Sequence, residues 1–138
     1  MGRIIAVTNQ KGGVGKTTTS INLAASLVLT RRRVMLIDID PQGNATMGSG
    51  VDKSAAAHTT YDVLLGAASI AAARLATEAG FDIVPANGDL SGAEIELINL
   101  PEREHRLRNA LAQVRSDYDF ILIDCPPALN LLTVNALV

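Results

Sequence analysis

The chain has no tryptophan, one cysteine, two histidines and only 3% aromatic residues. With Cys125 alone, no intrachain disulfide can form, which fits a reducing cytosol. His58 and His105 are remote from each other and give no zinc-ligand spacing. The scarcity of aromatics leaves a core of Ala, Leu, Ile and Val, as expected for helices packed on a buried sheet. Long apolar runs are absent too. Arg3 is followed at once by the short run Ile4 to Val7, far below the length of a secretory signal or a membrane span. The expectation is a cytoplasmic protein. Net charge is -2, so the overall balance points to neither nucleic acid nor membrane, and no basic stripe is visible.

What is present suffices for one domain. A chain of 138 residues buries roughly two-thirds of its unfolded surface. Arg3 to Thr8 reads as a buried strand, and Thr17 to Leu29 as a helix with Ile21, Ala24, Ala25 and Val28 on one face. Arg31 to Arg33 close that helix with cations at its negative end. Val34 to Ile37, Phe81 to Pro85 and Phe120 to Ile123 read as three more strands. Pro41 to Thr59 reads as loop with a short helix. Thr60 to Leu65, Ser91 to Leu100 and Glu102 to Val114 read as helical. Strands alternating with helices predict an α/β fold, a mostly parallel sheet with helices on both faces. Ligands of such sheets bind beyond the carboxyl ends of the strands. The mostly apolar last residues, Asn130 to Val138, predict a chain cut inside a helix; the alternative is a real terminus docked in a groove.

Residues Gln10 to Thr18, QKGGVGKTT, follow the first strand. Gly12, Gly13 and Gly15, flanking Val14, let backbone N–H groups approach a polyphosphate, and the helix start points its positive end at the anion. Lys16 has the reach for terminal phosphates, Thr17 for Mg²⁺ and Thr18 for a nearer phosphate. A plain Gly-rich turn explains one or two glycines, but not Gly-Lys-Thr-Thr after a strand. A dinucleotide fingerprint fails because the third glycine is missing. The usual phosphate-loop pattern also fails in one place: Gln10 stands where a glycine belongs, and Lys11 follows it.

Asp124, after four apolar residues, has the form of a Walker B acid; the alternative is a strand-end cap. Asp38 and Asp40 are alternate residues of one strand end, so both carboxylates can face one site where Mg²⁺ offsets their repulsion. Either also suits orienting an attacking water; the alternative is a pair of solvated turn acids. Cys125 reads as a small buried residue. Arg103, Arg106 and Arg108 read as a solvated helix face.

KGGVGKTT at Lys11–Thr18, DIDPQGNAT at Asp38–Thr46, ILIDCPP at Ile121–Pro127 and PANGDLSGAEIEL at Pro85–Leu97 together resemble the ParA/Soj partitioning ATPases. These are of the deviant Walker A class, with MinD and the nitrogenase iron protein as relatives. Pro41 to Asn44 looks like ParA rather than MinD, and the iron protein's cluster cysteines have no counterpart. The resemblance implies the N-terminal part of a single P-loop ATPase domain over residues 1–138, with ATP and Mg²⁺ as cofactors. It implies that Lys11 reaches the nucleotide of a second subunit, and that Gly12 keeps that interface close. Asp40 then positions the hydrolytic water, Asp124 is the Walker B acid and Asp38 a second acid near Mg²⁺. Pro41–Asn44 and Pro126–Pro127 look like switch segments. The implied cycle has an ATP-dependent homodimer, nonspecific DNA binding through a surface mostly in a later half, and hydrolysis triggered by a ParB-type partner on the bacterial nucleoid. Two alternatives stand beside it: a nucleotide-binding assembly module without efficient catalysis, and a MinD-like positioner, which needs an amphipathic C-terminal helix.

Overall fold

The computed structural model of the chain describes residues 3–7, 13–52 and 56–125, with the backbone only at 13–18 and 94. Lys11, Gly12, the Pro126–Pro127 segment and the expected C-terminal helix lie outside the described residues.

Five strands form one sheet: β1 (Arg3–Val7), β2 (Val34–Asp38), β3 (Leu75–Ala76), β4 (Asp82–Val84) and β5 (Phe120–Asp124), in the order β1-β5-β2-β4-β3. All pairs are parallel except the edge pair β3–β4. Among the described residues, six α-helices accompany them: α1 (Gly13–Leu29), α2 (Asn44–Gly48), α3 (Thr60–Leu65), α4 (Ile70–Ala73), α5 (Leu90–Ile98) and α6 (Arg106–Leu111). No helix among the described residues is long and apolar enough to cross a membrane.

The period of two along each strand builds two cores. Met35, Ile37, Val84, Ile121 and Ile123 face one core, which α3 to α6 cover with Leu64, Ile70, Leu97 and Leu107. Val34, Leu36, Ile83 and Leu122 face the other, where Ala24 of α1 and Ala45 of α2 pack. β2 is buried along its whole length, so its side chains are apolar on both faces until Asp38.

Besides the unexpected short α4, three details depart from the sequence reading. α1 begins at Gly13, ahead of the expected Thr17. Glycine is a poor helix former, so the periodic signal starts only after the Gly-rich segment. The expected helix over Glu102 to Val114 is broken: a 3₁₀ turn covers Arg103–His105, α6 stops at Leu111, and a second 3₁₀ turn covers Arg115–Asp117. The apolar stripe is real, since Leu107, Leu111 and Val114 are all buried. The N-terminal part breaks because Glu102 adopts φ 53, a left-handed conformation outside the α-helical region. The third departure is β3, which was not expected. It is two exposed residues, pinned by Thr77, whose N–H and hydroxyl both donate to the carbonyl of Phe81.

Candidate phosphate-binding site

β1, β5 and β2 end side by side. Val7 is in register with Asp124, and Asp124 with Asp38. The ladder runs one step further, with Cys125 N–H donating to the carbonyl of Val7 and Ile39 N–H to that of Asp124. Alternation along β2 and β5 turns both carboxylates toward the face covered by α1 and α2. α1 is the next described element after β1, and it packs against β2 and β5 on the face that carries the two carboxylates. The strand-end acids thus lie together on the face covered by α1, with Ser20 of α1 bonded to Asp124.

Each acid is held differently. Asp124 is wholly buried and accepts a 2.7 Å hydrogen bond from Ser20 Oγ of α1. Asp38 is equally buried. Its Oδ1 accepts the Asp40 N–H at 3.0 Å, and its Oδ2 accepts both the N–H and the hydroxyl of Thr46, at 3.0 and 2.7 Å. Burial pushes the Asp38 carboxyl up to about 7, the neighbouring Asp124 charge adds to that, and the Thr46 and Asp40 bonds oppose it. Asp40 is 5% exposed and accepts the Gln42 N–H through Oδ1, which turns the chain toward Gly43. Gly43 takes φ 65, a conformation that costs a residue with a Cβ about 1 kcal/mol or more, and it starts α2.

Three hydroxyls found here escape sequence reading. Ser20 and Thr46 hold the acids. Thr60, at the start of α3, donates to the carbonyl of Asp38 at 2.7 Å and sits 3.2 Å from that of Pro85. Thr46 Oγ1 also accepts the Ala86 N–H at 2.9 Å. The only signal for them in sequence is a polar residue inside an otherwise apolar helical face. Cys125 is buried, as expected of a packing residue.

The chemistry of this edge suits a divalent cation: two buried carboxylates stand in register on neighbouring strands beside α1. Among the described residues, no three His, Cys, Asp or Glu side chains cluster into a metal cage by themselves. A magnesium ion is commonly held by one or two carboxylates, with phosphates and water completing its shell.

The family described as AAA domain, AAA_31, matches residues 2–138. The chain belongs to this family. The resemblance to ParA/Soj proteins holds along the chain. The sporulation initiation inhibitor protein Soj of Bacillus subtilis is 54% identical over 138 residues, 99% of this chain and 54% of Soj. The chromosome partitioning protein ParA of Myxococcus xanthus is 54% identical over 138 residues, 99% of this chain and 49% of that protein. The crystal structure of cobyrinic acid a,c-diamide synthase from Mycobacterium smegmatis, with a bound ATP analog and magnesium, has a TM-score of 0.96 at 45% identity, over 99% of this chain and 56% of that one. The expected P-loop NTPase type of α/β fold is therefore borne out. The chain spans about half the length of the curated relatives it matches.

Proposed function

We propose that this AAA_31 chain carries the phosphate-binding part of a ParA/Soj-type partition ATPase, with residues 1–138 as the N-terminal part of a single P-loop domain. The observation that carries the reading is the register pair Asp38–Asp124 beside the start of α1. In this reading the backbone of Gly12, Gly13, Val14 and Gly15 cradles phosphates, and Lys16 and Thr18 bind them. Thr17 and Asp124 hold Mg²⁺. Asp40 orients the attacking water and lies in the metal's surroundings. Asp38 is the second acid near the metal. With both its oxygens engaged by Thr46 and Asp40, it acts by setting the β2–α2 turn. Bound Mg-ATP supplies the scissile phosphoanhydride and a cation that neutralises charge developing on it.

Lys11, supplied from a second subunit, adds a further cation at the phosphates and makes homodimerisation depend on ATP. Nonspecific DNA, a ParB-type partner and a cytoplasmic, nucleoid-associated setting complete the reading. The partition role draws support from the name of the ParA relatives, and these finer features follow from the ParA/Soj resemblance alone.

The name of the Mycobacterium smegmatis protein favours a second reading, an ATP-dependent synthase. Both readings require the same phosphate site; stimulation of turnover by DNA or by cobyrinic acid separates them.

Calorimetric titration of Mg-ATP into the chain, with Lys16→Ala as control, tests the shared site. Saturable binding lost in the variant is the expected result. Binding that survives in Lys16→Ala would remove the phosphate loop from the reading.

A further inference from the structure

The charged run around α6 reads in sequence as a solvated face, and Arg103 and Arg108 are exposed. Arg106 departs from that. It is half-buried, its Nε is sealed from solvent without a hydrogen-bond partner, and no ion pair reaches it. Glu102, four residues earlier, does not supply the missing charge. It adopts φ 53, outside α6, and its Oε2 accepts a 3.0 Å hydrogen bond from Asn109 Nδ2. A guanidinium partly withdrawn from water without a counter-charge costs free energy, and an unpaired buried donor of this kind calls for an explanation.

The same guanidinium lines a cavity of about 390 Å³ between α3–α4 and α6. Val63, Ile70, Pro101 and Ala110 make apolar walls. Gly66 lies against the guanidinium: a Cβ there would stand 3.6 Å from Arg106 Nη1. Small-molecule sites span roughly 300 to 1,000 Å³ and orient their ligands with a few placed polar groups, and in this cavity polar and apolar surface share the walls. None of these residues belongs to the strand-end site.

We propose that this cavity binds a small ligand that joins an aliphatic body to a carboxylate, with the Arg106 guanidinium taking the carboxylate. A guanidinium matches a carboxylate in two parallel hydrogen bonds. The Glu102 carboxylate on the same lining opposes a doubly charged phosphate, so a singly charged acid fits better.

NMR titration of the whole 138-residue chain with hexanoate, followed at the backbone N–H signals of Gly66 and Ala110 on the cavity lining, tests this. The expected result is a saturable shift, weakened about tenfold or more for hexanol and in Arg106→Met. Glu102→Gln should tighten binding, and Arg106→Lys, which keeps the charge but not the fork, should weaken it. No saturable shift in the wild-type chain overturns the proposal. So does equal binding of hexanoate and hexanol, or undiminished binding in Arg106→Lys and Arg106→Met.

Discussion

Ser20 in α1 and Asp124 at the end of β5 are 104 positions apart in sequence and joined by a 2.7 Å hydrogen bond sealed from solvent. This bond fixes α1 against the strand that carries the candidate Walker B acid. Ser20→Ala takes a donor from a buried carboxylate, a loss of about 1–3 kcal/mol. A lower urea midpoint is expected, with Ser20→Thr recovering most of it. An unchanged midpoint in Ser20→Ala would show that the remaining interactions of Asp124 suffice.

Thr46 bridges Asp38 and the Ala86 N–H through one hydroxyl. Thr46→Val keeps the shape and leaves both groups short of a partner, at a cost of about 3 kcal/mol. Hydrogen exchange at the Ala86 amide should accelerate more than at strand amides of β5. Equal protection in the variant would mean that the bridge adds nothing.

Gly48 and Ile21 set the approach of α2 to α1. A Cβ on Gly48 would stand 2.5 Å from Ile21 Cδ1, the far end of a side chain. Gly48→Ala should therefore push the Ile21 side chain aside at small cost, and Ile21→Val, which lacks that methyl, should remove that cost. The double-mutant cycle should show a favourable coupling of about 0.5 kcal/mol or more. Additive effects would contradict the close approach.

Tyr118 gives a pH dependence far from the site. Burial, then its hydrogen bond to Asp82 and that residue's charge, push its hydroxyl up to about 12, against the opposing effect of Arg74. An unfolded tyrosine ionises near pH 10. Between about pH 10 and 12 the unfolded chain has released this proton and the folded chain has not. The stability from this group is thus complete below pH 10 and lost as pH rises through that window. Urea midpoints at pH 9 and pH 11 should differ less in Tyr118→Phe; an identical drop in both proteins would remove Tyr118 as the cause.

For the proposed ATPase, Asp40→Ala should abolish Mg-dependent phosphate release while nucleotide binding survives. Retained turnover would transfer the water-orienting role to another residue.

Much of this arrangement is legible in the chain. VMLID and FILID are apolar runs ending in acid, and local pattern alone predicts two buried strands that deliver carboxylates to one edge. The Gly-Lys-Thr-Thr segment after β1 marks the helix start in the same way. These signals are local, because period and propensity act over a few residues. The neighbours are not legible. β5 inserts between β1 and β2, and this alone sets Asp124 in register with Asp38. The hydroxyls of Ser20, Thr46 and Thr60 gain their roles only after distant segments close around them. β3 rests on a side chain to backbone hydrogen bond at Thr77 and the late start of α6 on the left-handed Glu102, and no apolar period encodes either. Arg106 makes the same point: its spacing is that of a solvated helix face, and the packing of α3 and α4 against α6 leaves it beside a cavity without a partner. Burial and partnership depend on which elements meet, and that is settled by the free energy of the whole packed chain.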